Sequence, residues 1–217
     1  RKIGMEGIVF IVNGPEQART AVRKLVKDGI EWVKTYPTGD AASPDINDHH
    51  TLCMTFDEMH AVVATAHNHG LKVTGHCRAR DGIYNALKAG YDAIEHGTFM
   101  SEATMDAMIA HGTWYVPTLT AGRAVSDSAV YAKGFFPEMV RVKALGIGPQ
   151  IQRTTGIAYK KGVNIAFGTD AGVFPHGMNY LEFGYMSDAG MANADILRSA
   201  TVNAARLLRY DRRIGSL

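Results

Sequence analysis

Hydrophobic residues in this chain fall into two patterns. Short continuous apolar runs recur near residues 30–36, 72–77, 93–97, 114–119 and 164–169, and each reads as a buried strand. Between them lie segments with helical spacing. Gly14-Pro15 opens a helix whose stripe is Ala18, Val22, Leu25 and Val26, and Asp28-Gly29 stops it. Thr55 with Glu58 three residues later is a capping box for a helix that runs to about His69 and ends at Gly70. Asp81 to Ala89 is a short helix closed by Gly90. Ser101 caps another that ends at His111-Gly112. Gln150 to Lys161, Leu181 to Ala189 and Ala192 to Arg209 complete the helices. Ala121 to Gly148 is less regular, with turn signals at Lys133-Gly134 and Phe136-Pro137, and is expected to form one or two helices leaning over the site.

Strands that alternate with helices imply a parallel sheet. The turns at Asp28-Gly29, Gly70, Gly90, Gly112 and Gly162 take one or two residues, whereas the loops at the opposite, carboxyl ends are long; Pro37 to His50 is the longest and reads as a mobile loop over the substrate. That asymmetry predicts an α/β fold of the (β/α)8 TIM-like barrel type rather than an open doubly wound sheet. Five strands where a barrel needs eight predict a partial barrel, about the last five βα units. The chain has no G-x-G-x-x-G and no Walker sequence, which argues against nucleotide binding.

Composition narrows the picture by exclusion. The chain has 217 residues, 46% hydrophobic and 20% charged, with a net charge of +2. No basic run suits nucleic acid, and no apolar run approaches the roughly 18 residues of a membrane span. Cys53 and Cys77 are too few for a disulfide framework, so a reducing cytoplasm is the expected setting. Cys77, which follows His76, is expected to point away from the site.

The chemistry lies in how the strands end. In order, they finish in Lys34, His76, His96, Thr118 with no evident role, and Asp170. His76 and His96 end neighbouring parallel strands of one βαβ unit, which sets two imidazoles at the rim where α/β folds build their sites. An ammonium beside them would repel a cation. A lysine that has taken up carbon dioxide is instead an anionic, two-oxygen ligand able to bridge two divalent metals. His60 and His67, seven apart on one helix face, read as helix surface rather than ligands.

These residues resemble the amidohydrolase superfamily of metal-dependent hydrolases, and within it the prolidase-like group of dipeptidases, carboxypeptidase-like enzymes and ochratoxin-type amidases. Gly29 to Gly39 resembles its lysine strand, and Val73 to His76 with Gly90 to Gly97 resembles its two histidine strands. Phe167 to Gly177 resembles the aspartate strand with its loop. Ala200 to Arg206 and Arg213 to Leu217 resemble the closing helix and the exit from the barrel. The resemblance implies a binuclear site, most simply of zinc, with carboxylated Lys34 as the bridge. His76 and His96 would bind the second metal, and Asp170 would bind the first and shuttle a proton. A hydroxide bridging the metals would attack the carbonyl of an amide or peptide bond. Arg78, Arg80, Tyr36 and His176 are candidates to touch a small substrate such as a dipeptide or N-acyl amino acid.

One departure stands out. No H-x-H pair occurs upstream of Lys34, and the pattern His67-Asn68-His69 falls at a helix end. Residues 1–217 are therefore expected to be the carboxyl-terminal part of the barrel, without its first strands and small β domain. A complementing segment or a second copy of the chain is expected to cover the opening. Two other readings remain: a mononuclear deaminase-like relative, against which Lys34 speaks, and a catalytically silent remnant that binds a partner or itself.

Overall fold

The computed structural model describes residues 9–40, 50–132 and 134–216. The parts of the sequence reading that fall on residues 41–49, Lys133 and Leu217 lie outside the described residues. Helix α1 (Pro15–Lys27) precedes strand β1 (Trp32–Thr35). Three βα units follow: α2 (Phe56–Asn68) with β2 (Lys72–Cys77), α3 (Arg80–Ala89) with β3 (Ala93–His96), and α4 (Glu102–His111) with β4 (Trp114–Val116). The sheet order is β1-β2-β3-β4, and every pairing is parallel. Both capping boxes form, at Thr55 with Glu58 and at Ser101 with Thr104.

The register fixes what each face carries. Trp32 and Lys34 on β1 lie beside Lys72 and Thr74 on β2, Thr74 beside Ala93, His76 beside Glu95, and Glu95 beside Val116. Side chains alternate across a strand, so these residues share the inner face. Val33, Val73, Cys77, Ile94 and Tyr115 form the opposite face, which is buried with Met59, Ile83, Met105 and Met108 in the main core. Cys77 points away from the inner face, as expected.

The fifth predicted strand is reduced to a single parallel bridge between Tyr115 and Ile165. Its backbone is nonetheless satisfied on both sides. Toward β4, Tyr115 N–H donates to Asn164 O (2.8 Å) and Ala166 N–H to Tyr115 O (3.0 Å). On the other side, Phe167 N–H donates to Ser199 O (3.1 Å), and Asn203 Nδ2 donates to Ile165 O (2.8 Å). Ser199–Asn203 is a turn of π-helix between α8 (Asn193–Arg198) and α9 (Ala204–Leu207). The bonds that another strand would make are supplied there by the widened helix and an asparagine side chain, so no extended ladder forms.

The irregular stretch resolves into two long helices, α5 (Leu119–Tyr131) and α6 (Glu138–Lys161), and α6 runs straight through Pro149. Proline clashes with the carbonyl four residues back and strains the ladder around it. Ser126 of α5 repairs the ladder from outside: its Oγ accepts from Gly148 N–H (2.7 Å) and donates to Ala144 O (2.9 Å). The two helices touch closely at Gly122 and Gly148. A Cβ on Gly122 would lie 2.8 Å from the Ile151 side chain, and one on Gly148 would lie 2.8 Å from Ser126 Oγ. Helix α7 (Leu181–Asp188) packs across the pair.

Candidate metal centre

Strand β2 delivers His76 on the inner face at its carboxyl end. His96 ends β3, but its register partner is Cys77, so alternation alone would aim it into the core. A left-handed backbone at His96 (φ 66°) turns it back. Its ring lies 4.4 Å from that of His76, centroid to centroid, in an edge-on arrangement. Thr118 (φ 54°) and Asp170 (φ 55°) are left-handed too. Among the described residues only Arg209 joins these three as a non-glycine residue with positive φ. The conformation costs an L-residue roughly 1–2 kcal/mol, and it occurs where three successive strand segments reach one rim.

Both imidazoles are buried and neutral. Burial first, then the Arg78 guanidinium, lowers His76 to about 3 against the opposing pull of Asp40, and Lys34 lowers it further. Burial, His76, Arg78 and Lys34 hold His96 well below its ordinary value. Among the described residues His76 Nε2 has no hydrogen-bond partner, and the Asp40 carboxylate oxygen is 3.9 Å away. For His96 the tautomer follows from its neighbour. The Thr118 hydroxyl lies 2.6 Å from Pro117 O, which can only accept, and 2.7 Å from His96 Nδ1; with its one proton directed to the carbonyl, the hydroxyl accepts from an Nδ1–H. The lone pair of His96 is then on Nε2.

Lys34 lies near both rings, and its amine is paired with Glu95 Oε2. Glu95 also accepts from Thr74 Oγ1 (2.9 Å). Crowding around the amine lowers the Lys34 pKa, and Asp170 opposes this electrostatically, although 36% of the side chain remains open to solvent. Asp170 is exposed. The structure therefore gathers Lys34, His76 and His96 at one rim, with Asp170 within electrostatic reach of Lys34. Among the described residues no three His, Cys, Asp or Glu side chains converge as a metal cluster. Two neutral imidazoles with free lone pairs, one of them an orphaned buried nitrogen, fit a divalent cation of the zinc class.

The four substrate candidates occupy different surroundings. Arg78 is buried, donating from Nε to Asp40 Oδ1 (3.1 Å) and from its terminal nitrogen to Thr98 Oγ1 (3.1 Å). Arg80 faces solvent and pairs with Asp81, so the two arginines do not form a joint fork. The Tyr36 ring is 5.3 Å from His76 and half open to solvent. His176 is exposed on the loop after Asp170. The base of the loop after β1 is zipped by a bridge between Thr38 and Leu52, and Thr38 Oγ1 accepts from Arg78 N–H (2.9 Å). His67, read from the sequence as helix surface, pairs with Asp92 (2.9 Å).

Sequence reading missed Glu95, Thr118 and Asp40. Counting in twos from Ala93 would have placed Glu95 on the inner face. Thr118 and Asp40 depend on a left-handed turn and a loop contact that carry no residue signature.

The profile of the Amidohydrolase family matches residues 2–217. An uncharacterised protein of Mycobacterium tuberculosis is 31% identical over 206 residues, 93% of this chain and 54% of the relative. Ochratoxinase of Aspergillus niger is 30% identical over 202 residues, 91% of this chain and 40% of the enzyme. A solved Xaa-Pro dipeptidase with methionine bound in its active site superimposes with a TM-score of 0.91 at 43% identity, covering 99% of this chain and 54% of the dipeptidase. The chain thus spans about half the length of the proteins it matches. Over that span, profile, sequence identity and parallel α/β architecture agree: the chain belongs to the amidohydrolase family.

Proposed function

We propose that residues 1–217 form the carboxyl-terminal units of a (β/α)8 barrel whose rim binds a divalent metal and hydrolyses an amide or peptide bond of the dipeptide or N-acyl amino acid class. The observation that carries this reading is the histidine pair, two buried neutral rings 4.4 Å apart, with a His76 Nε2 that has no hydrogen-bond partner among the described residues. Its support from outside the chain is the similarity to a dipeptidase and to ochratoxinase; the bond class is taken from the dipeptidase.

His76 and His96 would hold the metal, with Lys34 as its carbamate and Asp170 beside them. A bound ion would supply Lewis acidity and make water a stronger acid. The chain's own residues do the rest. Burial keeps both imidazoles unprotonated, so no proton competes for their lone pairs near neutrality. Asp170, exposed at the rim, would carry a proton on its carboxylate toward a leaving amine. Arg78, fixed by Asp40 and Thr98, is the better of the two arginines to present a guanidinium N–H to a substrate carboxylate. The H-x-H ligands of a second ion would come from another segment, supplied in the same or a second chain.

One observation favours the catalytically silent alternative: among the described residues no three His, Cys, Asp or Glu side chains are grouped so as to hold a metal ion. The same experiment separates the two. Xaa-Pro dipeptides and N-acyl amino acids are incubated with the zinc- and bicarbonate-loaded chain, with His96→Ala as control. Amine release that is lost in the variant supports the hydrolase. Zinc binding without turnover of either class supports the silent segment.

A further inference from the structure

Glu182, on α7, is completely buried, and its carboxylate is directed at the start of another helix. Oε1 accepts from Leu119 N–H (2.8 Å), and Oε2 accepts from Thr120 N–H (2.7 Å) and Thr120 Oγ1 (2.6 Å). These are first-turn amides of α5, orphan donors that the residue at the N-cap ordinarily satisfies with its own side chain. That residue is Thr118, and it makes no capping bond. Its hydroxyl is turned away, donating to Pro117 O and accepting from His96 Nδ1. The capping duty has passed to a carboxylate 64 residues later in the chain (182 minus 118), which leaves the threonine free to orient a histidine.

We propose that Glu182 is a positioning residue: by capping α5 in place of Thr118, it holds Thr118 in its left-handed conformation with the hydroxyl on His96 Nδ1, which fixes the ring tautomer and turns the Nε2 lone pair toward the rim. The value of that lone pair as a ligand rests on the proposed function; the tautomer does not. Partners behind a ligating histidine fix its ring and typically change metal affinity 10- to 100-fold when removed. A buried glutamate at this point also explains why α7 packs against the start of α5, where a purely apolar contact would leave two amides unsatisfied.

The test uses the metal-free 217-residue chain with isotope-labelled histidine. Nitrogen NMR reads the His96 tautomer, and zinc titration against a competing chelator reads affinity. The parent and Thr118→Ser are expected to show Nδ1–H at His96. Glu182→Gln and Thr118→Val are expected to show a mixed or reversed tautomer, with zinc affinity about 10- to 100-fold weaker. Glu182→Gln that is folded, with the His96 tautomer and zinc affinity of the parent, overturns the proposal even if its melting temperature falls. If Glu182→Gln does not fold, Thr120→Ala, which removes one of the three bonds, decides: a partial change in the His96 signals is expected, and unchanged signals overturn it. A chain that shows the expected tautomer changes but binds no zinc supports the positioning role and counts against the metal reading alone.

Discussion

Glu95 holds the Lys34 amine in an ion pair immediately beside the two rim histidines, and Thr74 steadies the same carboxylate. Carbon dioxide adds only to a neutral amine, and the carbamate it forms is an anion. A carboxylate at this position therefore opposes carbamylation twice, by stabilising the ammonium and by repelling the product. Glu95→Gln is expected to raise the carbamate fraction on Lys34 at a given bicarbonate concentration, read by carbon NMR with labelled bicarbonate. A lower fraction in the variant would mean that Glu95 favours the carbamate through a contact other than charge.

The buried histidine pair ties stability to acidity. His76 has an ordinary value of 6.5 and is lowered to about 3 in the folded chain, and His96 is lowered too. Between those values the unfolded state binds protons that the folded state refuses, so stability rises with pH across this window and is lost as pH falls below about 6.5 toward 3. Each histidine contributes a slope of up to roughly 1.4 kcal/mol per pH unit. Urea midpoints of the metal-free chain, measured from neutrality down to mild acid, should fall more steeply than those of His76→Phe. Parallel curves would show that His76 takes up a proton in the folded chain as readily as in the unfolded one.

Arg78 ties the loop after β1 to the end of β3 through Asp40 and Thr98. Arg78→Met strands these partners and should lower stability by about 1–3 kcal/mol in denaturant melts, besides any effect on substrate binding. A variant as stable as the parent would assign Arg78 to substrate alone.

Two glycines of α6 should respond in opposite directions. A Cβ at Gly156 would meet Ala189 O at 2.4 Å, a backbone atom that moves only with α7, whereas Gly146 has nothing within 4 Å. Gly156→Ala should cost about 1–3 kcal/mol. Gly146→Ala should gain about 0.5–1 kcal/mol from the helical preference of alanine. Thermal melts of the two variants check both signs, and a Gly156→Ala as stable as the parent would show that the helices separate freely.

The order of elements and the rim residues were legible because both depend on local chemistry. Capping boxes, glycine stops and apolar runs are written within a few residues of where they act. Lys34, His76, His96 and Asp170 stand out as polar groups closing apolar runs. What the sequence did not disclose depends on remote partners. His96 reaches the rim only through a left-handed turn, against its strand parity, and Thr118 acquires its contact because Glu182 caps α5 in its stead. The helix read from Gln150 to Lys161 in fact begins at Glu138, and the serine that supports its ladder beside Pro149 belongs to α5. The strand at 164–169 was over-read because apolar content signals burial, and burial here comes with a π-helix on one side rather than a strand.

The most direct measurement is the metal content of the chain after dialysis against zinc and bicarbonate, by plasma mass spectrometry, beside His76→Ala and His96→Ala. About one zinc per chain in the parent, lost in both variants, is the expected result for a rim built from Lys34, His76 and His96. A parent chain with no more zinc than the variants would contradict a metal centre at this rim.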